Sequence, residues 1–118
     1  MNNEIKTTIK NKAYAKIREE TKVPTITIEK EDIRILPKDY HWKYKYSCTF
    51  YGFGKRGIAT VYFNDKLEVE YVSILYVDMD VWKEAKSVGV PIVLHTTREV
   101  AYFNEDMLKV FLKEVLFS

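Results

Sequence analysis

The chain has 118 residues, 47% hydrophobic and 31% charged, with nineteen basic against seventeen acidic side chains. That size and mixture suit one globular domain over residues 1–118, and a formal charge of +2 is too small to argue for nucleic acid by itself. Neither an apolar run of about 18 residues nor a charged-then-apolar leader is present, so no membrane partner is expected. A single cysteine, Cys48, excludes an internal disulfide, and two histidines, His41 and His95, lack the partners and spacing of a zinc site. No metal or other cofactor is therefore expected, and a reducing, cytoplasmic setting is. The charge is uneven: residues 1–46 carry eleven basic and seven acidic side chains, the remainder eight and ten.

In chain order, residues 4–19 lack Gly and Pro and space Ile5, Ile9, Ala13 and Ile17 four apart, which predicts a helix. Lys6, Lys10, Lys12 and Lys16 fall on the isoleucine side. Either their stems cover a narrow core stripe, or the helix offers a basic and apolar face to an acidic partner. Residues 23–29 and 33–36 read as two short strands, with Pro37–Tyr40 as a turn. In 42–52, Trp42, Tyr44, Tyr46, Cys48 and Phe50 alternate with polar residues, the period of a half-buried strand. A glycine turn, a strand over 58–63, a tight turn at Asn64–Lys66 and a strand over 67–77 follow.

Centring the first turn between Lys55 and Arg56 pairs Phe50 with Val61. Centring the second on Asp65 pairs Val61 with Val69. Together they place Cys48, Phe50, Ala59, Val61, Phe63, Leu67, Val69 and Tyr71 on one face, with Tyr44 and Tyr46 also inward. Tyr51 and Tyr62 then face outward. The first strand is longest, so Trp42–Tyr46 overhangs and offers an edge to another strand or to a second copy of the chain. Beyond it, Asp78 or Asp80 caps a short helix through Val88, Pro91–His95 forms a strand, and Asn104 caps a last helix that covers the sheet. The expected fold class is α+β. It has an N-terminal helix, a twisted and mostly antiparallel sheet with a three-stranded meander over about 42–77, a short crossover helix, a further strand and a packed C-terminal helix.

Three stretches carry candidate chemistry. Gly52–Gly57 spells G-x-G-x-x-G, but β-branched and aromatic residues follow where a dinucleotide site needs a helix, so the glycines read as a wide hairpin turn. Arg56–Phe63 resembles the RNP1 octapeptide of RNA-recognition motifs at its first, second, fourth, sixth and eighth positions. It departs at the third and fifth, where Ile58 and Thr60 replace the aromatics that stack on bases. Asp78-Met79-Asp80 with Val93–Thr97 resembles the first two motifs of haloacid-dehalogenase-type phosphatases, with Trp82 standing where that family has a small residue and its later motifs lacking. If strands 67–77 and 91–95 run parallel through a right-handed crossover, Asp78, Asp80, His95, Thr96 and Arg98 gather in a polar cleft. A helix cap beside a polar loop explains the same residues.

No catalytic constellation stands out, and the first expectation is a non-enzymatic binding or inhibitory protein acting by protein contact. Its size and lysine content fit an inhibitor of host defence carried by a phage or mobile element, working in the host cytoplasm. Candidate contact residues are Lys6, Lys10, Lys16, Lys43, Lys45, Tyr51, Lys55, Arg56 and Tyr62. A nucleic-acid partner for the basic-aromatic run 41–46 and the turn 54–57 is the alternative. A small-molecule or metal-assisted site at Asp78, Asp80, His95 and Arg98 is the third.

Overall fold

The computed structural model describes residues 1–80, Lys83 and the two-residue strand His95–Thr96. The order is α1 (Asn3–Thr21), β1 (Thr27–Ile35), β2 (Tyr44–Gly52), β3 (Lys55–Phe63), β4 (Val69–Asp78) and β5 (His95–Thr96). The strands form one sheet in that spatial order, every neighbouring pair antiparallel. This is the expected α+β layout with its meander. The rest of the expected crossover helix, the strand from Pro91 to Leu94, Arg98 and the C-terminal helix lie outside the described residues.

The sequence of α1 stops and starts it cleanly. Asn2 caps the N-terminus, its side chain accepting from the Ile5 amide at 2.8 Å, and Lys22 closes the C-terminus in the left-handed region at φ 57°. Ile9, Ala13 and Ile17 are fully buried against the sheet, with Thr21 continuing the stripe. Burying one isoleucine contributes about 1.5–3 kcal/mol, so this narrow stripe carries the docking of the helix. The flanking lysines act as struts. Lys12 Nζ donates to the Leu67 carbonyl at 2.6 Å, and Lys10 pairs with Glu31 at 3.1 Å. From the sheet side, Lys55 Nζ donates to the Thr21 carbonyl at 3.1 Å, a cation at the negative end of the helix.

The face under α1 holds Tyr44, Tyr46, Cys48, Phe50, Ala59, Val61, Phe63 and Ile74, the main core. Three details differ from the sequence reading, each for a local reason. The expected short strands are one strand, β1, with a bulge between Glu29 and Asp32 where Lys30 takes φ 50°. The bulge sends Glu31 to the Tyr46 hydroxyl, which donates to its carboxylate at 2.7 Å.

The first hairpin turn is only Phe53-Gly54, at φ 52° and 76°, because Gly52 pairs with Lys55. Two central residues at positive φ match the twist of a tight hairpin. Phe50 therefore pairs with Gly57, four residues from expectation, and an even shift leaves every side chain on its predicted face.

The second turn is longer than expected. Asn64 Oδ1 accepts from the amides of Lys66 and Glu68 at 2.9 and 3.0 Å, and Leu67 turns left-handed at φ 62°. Glu70 is an extra residue in β4, since Phe63 pairs with Val69 but Tyr62 with Tyr71. Val61 thus faces Val72 rather than Val69, an odd shift that turns Tyr71 to the face away from α1.

Candidate functional site

The strand expected to overhang does not. Tyr44, Lys45 and Tyr46 pair with Ile35, Arg34 and Ile33 on one side and with Phe63, Tyr62 and Val61 on the other. Among the described strands the edges are β1 and the two-residue β5, and the bulge and charged side chains of β1 discourage strand addition there. The edge offered to a second copy is therefore interior.

Trp42 also leaves the inward face assigned to it. It precedes β2, with the backbone held by Lys43 N–H to the Phe63 carbonyl at 2.9 Å. Its ring lies against Tyr62 (4.5 Å between centroids) and Tyr71 (5.3 Å), with His41 edge-on at 5.3 Å. Burial under this stack raises the Tyr62 phenol above its ordinary value, with Tyr71 and Tyr40 adding to the effect. Tyr62 faces outward as expected but is covered by the indole.

At this end of the sheet a cleft of about 560 Å³ lies between the loop of residues 36–43 and the β3–β4 turn. Ile35, Tyr40, Trp42, Asp65 and Glu70 are among the residues that line it. Ile35 and Tyr40 are 55% and 58% exposed. Glu70 Oε2 stands 3.8 Å from His41 Nε2, beyond hydrogen-bond reach.

The cations named from sequence are scattered rather than gathered. Lys10 and Lys16 are in ion pairs on α1, the latter with Glu19 and Glu20, while Lys6 is exposed. Lys43 holds its ammonium over the Tyr44 ring, Lys55 over Tyr76, and Arg56 its guanidinium over Tyr51. Lys45 and Arg56 do share the face away from α1, but six residue pairs apart along the β2–β3 ladder.

Of the polar-cleft candidates, Asp78, Asp80 and the backbone of His95 and Thr96 fall among the described residues, and the parallel crossover on which the cleft depended is not the pairing found there. Asp78 Oδ1 accepts from the Asp80 amide at 3.0 Å, and Met79, Asp80 and Lys83 are helical, so Asp78 serves as a helix cap. β5 runs antiparallel to β4, with His95 opposite Tyr76 and Thr96 opposite Leu75. The chain therefore moves away from Asp78 as it passes from His95 to Thr96, which removes the shared strand end that a parallel crossover supplies.

The inner face holds a buried polar pair. Burial, then neighbouring Cys48 and the bond to Glu31, push the Tyr46 phenol far above its usual range. Burial also pushes the Cys48 thiol up to about 12, against a lowering by the Tyr46 hydrogen bond and with Glu31 adding to the rise. A thiol held neutral in this way is inert as a nucleophile.

The opposite end of the sheet carries a residue that sequence reasoning passed over. Phe53, at the tip of the β2–β3 hairpin, is 70% exposed, the most exposed of the large hydrophobic side chains described. It sits at φ 52°, a conformation that costs a bulky L-residue about 1–2 kcal/mol. Beside it are exposed Tyr51, with Arg56 at 5.4 Å from its ring centroid, and the Gly54 carbonyl, which accepts from Met79 N–H at 2.7 Å. The signal was available: an aromatic between two glycines in a hairpin turn has no core to enter.

No helix among the described residues is long and apolar enough to cross a membrane. No family model, curated protein or solved structure matches the chain.

Proposed function

We propose that this chain is a non-enzymatic binding protein that inhibits or regulates a protein partner by direct contact, in the cytoplasm, with the β2–β3 hairpin tip as its principal anchor. The observation that carries this reading is Phe53, a large apolar ring at positive φ and 70% exposed. An aromatic in that position contributes little to the fold, and it is held rigidly by a two-residue turn. Rigid, exposed aromatics flanked by a tyrosine and an arginine are the composition of interface anchors. Tyr51 and Arg56, already stacked on one another, extend the patch without further ordering cost.

The test is capture from host lysate on immobilised protein, with and without nuclease, comparing wild type with Phe53→Asn. Asparagine tolerates the left-handed region, so the turn is kept while the ring is removed. A protein retained by the wild type in both conditions and lost with the variant supports the reading. Retention that vanishes on nuclease treatment points instead to nucleic acid through Lys43, Lys45, Lys55 and Arg56. That alternative also demands affinity falling steeply with salt.

A further inference from the structure

The face of the sheet away from α1 supports a separate inference. On β4 that face carries Ser73, Leu75 and Val77, because Ile74 and Tyr76 stand opposite Ala59 and Gly57 on the inner side. Leu75 is 7% exposed and Val77 is fully buried, yet neither belongs to the core under α1. We infer that this corner of the outer face is the docking site for the chain's own segment 104–117. Met107, Leu108, Phe111, Leu112, Val115 and Leu116 of that segment supply the apolar stripe seated on it. This stands apart from the hairpin reading, and neither depends on the other.

Three observations carry it. First, α1 cannot cover these residues, since Ile9, Ala13 and Ile17 meet the core on the opposite side of the sheet. Second, Leu75 and Val77 are buried within a single copy of the chain, so their cover belongs to the chain itself. Third, the footprint is local. Ser73 is exposed and Ile58, opposite Leu75, is half-buried, while β1 and β2 bring Glu29, Asp32, Ser47 and Thr49 to the same face. The apolar corner therefore lies at the hairpin end of β3 and β4, and the rest of the face is polar.

The choice of segment follows from connection length and pattern. The helix that starts at Met79 follows β4 with no residue between them, and Asp80 and Lys83 on it are exposed. A helix that folds back onto its own sheet needs a connection of about two to six residues. Segment 104–117 has no such constraint. Its stripe covers half a helical circumference, with Lys109 and Lys113 on the other side, and its length as a helix is about 21 Å at 1.5 Å per residue. Seated there, it closes the corner to outside partners and leaves Phe53 beyond the covered area.

The test uses the full chain with labelled methyl groups and phenylalanine rings, and follows nuclear Overhauser cross-peaks from the Leu75 and Val77 methyls. The expected result is cross-peaks to Phe111 and Leu112 that persist, undiminished by dilution, in a sample mixing labelled and unlabelled copies. Leu112→Ala should lower the melting temperature by roughly 10 °C or more, and should cost less in a Val77→Ala background because the two share one contact. Phe53→Asn should leave the cross-peaks unchanged. Cross-peaks from Val81, Trp82 or any other part of the chain in their place, cross-peaks between copies, or methyls as open to a soluble paramagnetic probe as Phe53 would overturn the inference.

Discussion

Gly57 provides the sharpest check on the register of the sheet. A methyl group there would collide with the Leu75 carbonyl oxygen, stand 2.6 Å from Tyr76 Cβ and 2.9 Å from Phe50 Cζ. Ordinary van der Waals contact begins at 3.4 Å, and two of these three atoms are fixed to the β4 backbone. β3 and β4 must therefore part by roughly 1 Å at this point, which costs about 1–3 kcal/mol in overpacking and one or two ladder hydrogen bonds. Gly57→Ala should lose about 3 kcal/mol, a fall in melting temperature on the order of 10 °C for a domain of this size. Gly54 is the internal comparison. Nothing lies within 4 Å of its added Cβ, and only its φ of 76° penalises alanine, by about 1 kcal/mol. Gly52 falls between them, facing the Thr25 carbonyl at 2.6 Å across a connecting segment that can give. Urea unfolding of the three variants should rank Gly57→Ala as the most damaging by a clear margin. If Gly57→Ala and Gly54→Ala lie within about 0.5 kcal/mol of each other, the pairing of Gly57 opposite Tyr76 is wrong.

The inner polar pair predicts a pH dependence. Cys48 is raised from 9.0 to about 12, so between these values the folded state keeps a proton that the unfolded chain releases. Stability should be complete below about pH 9 and fall above it by up to about 1.4 kcal/mol per pH unit, with Tyr46 adding its share above about 10. Cys48→Val should delay the onset by about one unit in urea midpoints measured against pH; identical curves would contradict the assignment. Glu31→Ala leaves the Tyr46 hydroxyl and Lys10 without their partner and should cost about 1–3 kcal/mol, whereas Tyr46→Phe should cost about 1 because Glu31 keeps Lys10 and water. Equal losses from the two substitutions would show that the bulge at Lys30 serves some other contact.

Much of the architecture was legible because it rests on periodicity. The four-residue spacing of Ile5, Ile9, Ala13 and Ile17 marked the inner stripe of α1, and alternation from Tyr44 to Phe50 marked the inner face of β2. What escaped were single residues in unusual backbone states. Leu67 at φ 62° and the extra Glu70 together moved β4 by three positions, and nothing in leucine or glutamate announces either role. Tyr71 consequently changed face and joined Trp42 and Tyr62. Lys30 likewise joins what read as two strands into one bulged strand. The glycine cluster was legible as a bend, but its three members do different work: Gly54 turns the chain, while Gly52 and Gly57 let backbones approach. Reading all three as turn residues hid Phe53 between them. The lysines of α1 were ambiguous because a wheel cannot distinguish a strut from a binding face; only the Leu67 carbonyl and Glu31 on other elements resolve Lys12 and Lys10.

The central claim, a protein contact anchored by Phe53, is tested most directly by comparing wild type and Phe53→Asn in capture after nuclease treatment, alongside their unfolding curves. The account predicts a specific protein retained by the wild type and lost with the variant, while the two melting temperatures agree within a few degrees. Equal retention by both, or a wild-type signal that the nuclease removes, would contradict it.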